Sequence, residues 1–435
     1  MIVDSALAPV RMLANDAKDL CQGSFTYSVF VSLLSGLIFG LPSLSAIARA
    51  FTFSSSVSSL SRGIREIPHE SLLRRMRNKV ADLVATIERP ERRFVLAIDD
   101  TFVRKFGASL ENCYWFDHTS NSTKRGRNYL VLVVLDILTG HAYPVDVVLL
   151  KGKKHAEYRP RTEILKERLL VLKEAGFGAL TLVADSWFAD KSFFEWLDKE
   201  GFTFEIEIRT NRKITYLDKK SLGNIGTKGK MVYPSASDVA LGLKRNTSFS
   251  GGAQKQIAGG VVRLFGSSLR LKFAAVWNKD DLLQDKPFAC YVTNKTEMCL
   301  TRVWAMSRFR WGIECYFRAS KQDFSFDGLA TESSEAAFGL VVLGMFLYCN
   351  LEIARHDLCA VPIGKKERLK KYPPLTSHIK TLRQESTART FRRAMVMKSS
   401  REKIISHFSG RQDPERSCLK PRDKSKIEVM QTLRC

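Results

Sequence analysis

A chain of 435 residues, 45% hydrophobic and 26% charged, can bury a large core and has the composition of a globular protein rather than a disordered one. Its 69 Lys and Arg against 45 Asp and Glu give a formal net charge of +24, an excess that favours a polyanionic partner because cations neutralising phosphates release condensed counterions. The nine cysteines, odd in number and without CxxC or zinc-finger spacing, argue against a disulfide framework and for reduced thiols in a cytosolic protein.

Residues 1–90 read as helical. Asp4, Asp16 and Asp19 fall where a signal peptide would need an apolar run. From Cys21 to Ala48 there is no charge, and Val29 to Leu41 is strongly apolar, with Ser32, Ser35, Gly36 and Gly40 inside it. This run is shorter than the roughly 20 apolar residues of a membrane span, so it predicts a buried helix. A short helix over Pro42–Phe51, a Ser-rich turn and a second helix over Val57–Arg65 have the order of a helix-turn-helix, whose second helix suits a DNA major groove. The run Leu73–Lys79 adds a basic face expected to lie on phosphates. The expectation is a helical DNA-binding domain over 1–90.

At Phe94 the pattern changes to continuous apolar runs. Phe94–Ile98 predicts a buried strand ending in Asp99 and Asp100. Tyr129–Leu138 and Ala142–Leu150, joined by Thr139-Gly140-His141, predict an antiparallel hairpin. A helix over Ile164–Ala175, stopped by Gly176, leads to a strand over Leu180–Ala184 ending in Asp185. A helix over Ser192–Lys199 and a strand over Phe202–Ile208 follow. Three antiparallel strands, a helix, a fourth strand and a helix are the order of a ribonuclease-H-like core, an α/β fold, here expected over 91–355. Gly-, Ser- and Lys-rich turns between short strands mark a β-rich insertion at about 211–285. Phe288–Val292 returns to the core, and long helices follow over Leu300–Gln322 and Ala336–Ile353. The region 356–435 reads as a basic tail; residues 361–435 alone hold 20 Lys and Arg against 7 Asp and Glu. Cys349, His356 and Cys359 fall near one another but make a weak metal signal.

Asp99 (or Asp100), Asp185 and Glu314 are candidate catalytic acids, placed at two strand ends and on the long helix. Clustered carboxylates repel one another unless a cation neutralises them, and hard oxygen donors suit Mg²⁺, with Mn²⁺ as a substitute. Two such ions about 3.5–4 Å apart can serve phosphoryl transfer. On an ideal helix, Glu314 lies about 40° and Lys321 about 20° round from Arg310, so the three share one stripe. An acid between two bases at this spacing can bind metal while Arg310 and Lys321 hold phosphates beside the scissile bond. Each acid alone could equally cap a strand or form a salt bridge.

The segment Arg310–Lys321 resembles the Tyr-Arg-Glu-Lys signature of DDE transposases from bacterial insertion sequences, the branch typified by insertion sequence four. Leu96-Ala-Ile-Asp-Asp-Thr101 and Leu182-Val-Ala-Asp-Ser-Trp187 resemble that family's first and second aspartate motifs. The resemblance covers about residues 90–350; where the signature's tyrosine stands, this chain has Ser307. It implies metal-dependent nicking of double-stranded DNA at terminal inverted repeats and strand transfer through a free 3′-hydroxyl. In part of the branch a hairpin intermediate forms. A homodimer on DNA, no membrane partner, and a place in the bacterial cytoplasm at the nucleoid complete the expectation. A ribonuclease-H-like nuclease or resolvase that cuts without joining, and a transposase-derived DNA-binding protein without catalysis, are the alternatives.

Overall fold

The computed structural model describes residues 8–359, apart from 42, 52–54, 106–113, 118–120, 154, 217–223, 226–230, 251–252, 279–285, 325, 327–330 and 332, together with 379–380. The basic tail expected over 356–435 therefore lies almost wholly outside the described residues.

Five helices come first: α1 (Ala8–Asp16), α2 (Tyr27–Ile38), α3 (Leu44–Ala50), α4 (Val57–Gly63) and α5 (His69–Ala85). Thr26, Ser43 and Ser56 cap α2, α3 and α4 by accepting from backbone N–H groups, which satisfies donors that a helix start leaves open. The uncharged α2 is buried along most of its length, as expected from its composition. In the basic run of α5, Arg74 is exposed while the other three cations meet partners within the molecule. Arg75 donates to Asp19 at 2.9 and 2.6 Å, Lys79 meets Asp16 at 2.5 Å and Asn350 at 2.7 Å, and Arg77 is buried 3.6 Å from Asp146. Those side chains tie the helix to the rest of the molecule.

An eleven-stranded sheet follows. Within it β1 (Phe94–Arg104) is flanked by β3 (Ser122–Asp136) and β5 (Thr181–Ala184). The short β2 (Tyr114–Asp117) pairs with β3, and β4 (Ala142–Leu150) completes an antiparallel hairpin with β3. β6 (Phe204–Ile208) lies parallel to β5, as β5 does to β1. The sheet order β4-β3-β1-β5-β6, antiparallel then parallel, is consistent with the ribonuclease-H-like core expected from the chain order of the elements. Phe94–Ile98 and Tyr129–Leu135 are buried throughout, because both strands have neighbours on each side and helices over the sheet. Between β4 and β6 run α6 (Arg161–Leu172) and α7 (Lys191–Lys199). After α6 a turn places Gly176 at φ 97°, a left-handed conformation that glycine takes without strain and that ends the helix.

The remaining strands extend this sheet instead of forming a layer of their own. They are β7 (Ile214–Tyr216), β10 (Asn246–Ser250), β11 (Ala253–Leu264), β12 (Leu271–Asn278) and β13 (Ala289–Thr293). β8 (Asn224–Ile225) and β9 (Met231–Val232) form a separate pair, and α8 (Ala236–Leu241) follows them. β13 pairs antiparallel with β6, and β12, β11 and β10 continue outward in turn, with β7 on β11. The insertion is thus hydrogen-bonded into the core.

The expected single helix over 300–322 is divided. α9 (Leu300–Ser307) passes into a 3₁₀ turn at Arg308–Arg310, and α10 (Trp311–Asp323) then carries Glu314 and Lys321. Gly312 brings α10 close to β3: a Cβ there would sit 2.9 Å from a Leu135 methyl. α11 (Ser334–Cys359) packs against α5 and β4. Of the described helices it alone is long and apolar enough to cross a membrane, and 83% of that apolar window is buried inside the molecule. One continuous hydrophobic core includes Phe30 and Leu73 of the first helices, Leu96 and Val133 of the sheet, and Phe346 of α11.

Candidate active site

The site lies where the parallel pairing ends; β1 itself does not stop at Ile98 as expected but continues, paired with β3, to Arg104. Ile98 of β1 pairs with Ala184 of β5, and Ala184 with Ile206 of β6. The next residue on each strand is an acid, so Asp99, Asp185 and Glu207 form one row across three neighbouring strands. Strands stand about 4.8 Å apart, which makes adjacent carboxylates in such a row electrostatic neighbours. Burial first, and then the charge of Asp185, push the Asp99 carboxyl up to about 7, against the pull of Arg310. Burial likewise raises Asp185 and Glu207 above the usual carboxylate range.

Arg310 compensates this row from the 3₁₀ turn. Its guanidinium donates to Asp99 Oδ2 at 3.2 Å and meets Glu314 Oε1 at 3.0 Å. Its charge also acts on Asp185 and Glu207. Lys321, about two turns along α10 from Glu314, donates to the Phe102 carbonyl at 3.3 Å. Asp100 faces other partners: Asn128 donates to it at 2.7 Å and Arg161 at 3.3 Å. Strand alternation accounts for the difference, since consecutive side chains leave opposite faces of β1. Asp185 also accepts from the Trp187 backbone at 2.9 Å.

The structure therefore sets Asp99 beside Asp185, links Glu314 to Asp99 through Arg310, pairs Asp100 with Arg161 where both charges still act on Asp185, and adds Glu207 beside Asp185. Glu207 was not singled out from the sequence, because only the β5–β6 register aligns it with the aspartates. Ile313, Tyr316 and Phe317 are buried as the apolar side of α10 requires, whereas Trp311 is exposed. Ser307 donates to the Trp304 carbonyl at 2.7 Å. Nearby Tyr291 is pushed up to about 12 by burial and by Glu207. Elsewhere, His356 meets Arg93 at 2.9 Å and Cys349 is buried. Among the described residues, no three His, Cys, Asp or Glu side chains lie close enough to hold one metal ion.

A family model described as the transposase DDE domain matches residues 91–350. The chain belongs to the DDE transposase family. Among solved structures, this transposase is similar to the piggyBac transposase synaptic complex with hairpin DNA, with a TM-score of 0.45 and 11% identity over 93% of this chain and 81% of that one. It is also similar to a pre-cleavage Mos1 transpososome, with a TM-score of 0.16 and 12% identity over 40% of this chain and 57% of that one. No curated protein matches the chain.

Transposases of the DDE family use divalent metal ions, and the donor set here fits one. Asp99 and Asp185 are hard oxygen donors side by side, and burial together with the charge of Asp185 outweighs Arg310 in raising Asp99 to about 7. A Mg²⁺ that takes one or two carboxylates and fills its other positions with water and phosphate matches that pair. Glu207, on which the charges of Arg310 and Asp185 act, would position that pair for such an ion. In the Glu207→Gln protein, nicking is expected to fall about tenfold, with more Mg²⁺ needed for half-maximal rate and melting unchanged. An unaltered Mg²⁺ requirement would remove Glu207 from the site.

Proposed function

We propose that the protein is the transposase of a bacterial insertion sequence of the Tyr-Arg-Glu-Lys branch. It cuts double-stranded DNA at the element's terminal inverted repeats and joins the 3′-hydroxyl to target DNA, as a homodimer assembled on DNA in the cytoplasm. The observation that carries this reading is the placement of Asp99 and Asp185 side by side where β1 and β5 cease to pair, with Arg310 spanning Asp99 and Glu314.

Asp99, Asp185 and Glu314 would hold Mg²⁺ or Mn²⁺, in one or two ions. When bound, the metal supplies charge stabilisation at the scissile phosphate and a more acidic attacking water or hydroxyl. Asp99 is the first acid, since Asp100 is engaged by Arg161 and Asn128. Arg310 changes partners: a phosphate offers its planar fork the same two-point grip as the carboxylates it now touches. Lys321 exchanges a backbone carbonyl for phosphate. The helices of residues 1–90 would recognise the inverted repeats, and the 361–435 tail would add charge-driven affinity. The DDE core, the β-rich insertion and these flanks correspond to regions 91–355, 211–285 and the two ends.

The test is Mg²⁺-dependent nicking and joining of a duplex carrying the element's end, with melting temperature measured in parallel. Arg310→Ala and Lys321→Ala are each expected to slow nicking roughly a hundredfold, as loss of a charged contact to developing negative charge does. On a solvated face, the same changes would cost only about 0.3–0.5 kcal/mol of stability and leave nicking alone. Normal nicking by both proteins defeats the proposal.

A further inference from the structure

At the far end of the acid row, α9 is pressed onto the sheet. Its Val303 and Trp304 are buried with Ile257, Ala274 and Val276, and the half-buried ring of Tyr291 packs on the same cluster. Tyr291 of β13 stands opposite Glu207 of β6. Paired residues of an antiparallel ladder share a face, so Tyr291 continues the row of Asp99, Asp185 and Glu207 by one strand. Ser307, the last residue of α9, lies within hydrogen-bonding reach of the Tyr291 hydroxyl. The Ser307 hydroxyl gives its one proton to the Trp304 carbonyl at 2.7 Å, which leaves its oxygen to accept from the phenol. Position 307, where the signature has tyrosine, holds serine, and the phenol of this corner comes from the strand instead.

A second polar group acts on Ser307 from the sheet. Glu205 is 2% exposed and lies on the same face of β6 as Glu207, two residues away. Burial pushes its carboxyl well above the usual carboxylate range, opposed first by the Ser307 backbone N–H. The 3₁₀ turn that carries Arg310 begins at the very next residue, Arg308. Arg310 then reaches Asp99 at 3.2 Å and Glu314 at 3.0 Å. The end of α9 is thus the point from which the guanidinium is aimed. We propose that Tyr291 is a positioning residue for Arg310: its hydroxyl, through Ser307, fixes where the 3₁₀ turn leaves α9 and so where the guanidinium stands over the acids. The proposal rests on the transposase reading and adds to it a residue outside both the acids and the Arg310–Lys321 stripe. A displacement of about 1 Å at a group facing the reacting atoms can cost roughly a hundredfold in rate. A hydroxyl that acts through one intermediary should cost less.

Single-turnover nicking of a duplex carrying the element's end tests it, with duplex affinity and melting temperature measured on the same full-length proteins. Tyr291→Phe keeps the ring against Trp304 and removes only the hydroxyl. It is expected to slow nicking about tenfold while duplex affinity stays at the wild-type value. Ser307→Ala should do the same, and Ser307→Thr, which keeps a hydroxyl, should restore the rate. The double variant Tyr291→Phe with Ser307→Ala should be no slower than either single one, since both break one chain of contacts. The deciding comparison removes Arg310. Arg310→Ala is itself slower by roughly a hundredfold, and adding Tyr291→Phe should leave that rate unchanged, because nothing remains to be positioned. Damaged folding would instead slow both backgrounds by the same factor, so the comparison holds even if Tyr291→Phe melts lower. A further tenfold loss in the Arg310→Ala background, or wild-type nicking by Tyr291→Phe, overturns the proposal and leaves the transposase reading standing. Wild-type protein that does not nick overturns both.

Discussion

The Asp185→Asn protein is expected to lose nicking by about a thousandfold or more, some 4 kcal/mol of barrier, while melting no lower than wild type. The two halves of this result have one cause. Asp185 stands beside Asp99 on the neighbouring strand, and its charge helps push the Asp99 carboxyl up to about 7. The pair is unfavourable without a cation, so removing one charge relieves repulsion in the metal-free protein. Asparagine keeps an acceptor for the Trp187 N–H, so the 3₁₀ turn after β5 is preserved. The pH dependence follows with a definite sign. Asp99 holds its proton in the folded state above the pH at which the unfolded chain releases it, so the folded protein binds more protons across the interval from its ordinary 3.8 to about 7. Metal-free stability therefore falls as pH rises through that interval, and Asp185→Asn should flatten the fall. Such a trade of stability for function is common at active sites. Undiminished nicking, or a melting temperature many degrees below wild type, would show that Asp185 has another role.

The second large effect is on folding. Asp146→Ala is expected to destabilise the protein by about 3–5 kcal/mol, because it strands two cations in the interior. Asp146 on β4 is fully buried; Arg168 of α6 donates to it at 2.7 and 2.8 Å, and Arg77 of α5 lies 3.6 Å away. Glu70 reaches both arginines from the surface side, at 3.6 and 3.7 Å, but is too exposed to replace a buried acceptor. Replacing Asp146 together with Arg77 and Arg168 by apolar residues of similar size should restore much of the loss, since the whole cluster is then removed instead of broken. Urea unfolding of the single and triple variants measures both. A single variant as stable as wild type would mean that the arginines find other acceptors.

The end of β5 at Ala184 was legible because a buried strand is a continuous apolar run and Asp185 interrupts that run, whereas β1 continues through Asp99 and Asp100 to Arg104, its pairing with β3 carrying it past the acids. Ala142–Leu150 has the same limits in sequence and structure, being bounded by a turn on one side and charge on the other. The row to which the acids belong was not legible. Glu207 reads as one polar residue in the alternating Phe204–Ile208, and only the parallel pairing with β5 aligns it with Asp185. The 3₁₀ turn at Arg308–Arg310 escaped notice for a different reason. No proline or glycine stands in that turn, so helical periodicity runs through it unbroken. The basic run in α5 shows a third limit. Charge spacing is visible in a sequence, but the acids that Arg75, Arg77 and Lys79 meet come from Asp16, Asp19 and Asp146, far along the chain.

The shared hydrophobic core has a mechanical consequence. Phe30 of α2 packs on Phe346 of α11 with ring centroids 6.1 Å apart, and Lys79 of α5 reaches Asn350. Elements bound through a large apolar interface do not swing on a tether. The span from the first helices to Asp99 is consequently a fixed length, set by side-chain packing and not by a linker. Any duplex gripped by those helices would be measured against that length as against a ruler, and the phosphate to be cut would be chosen by counting distance along the groove.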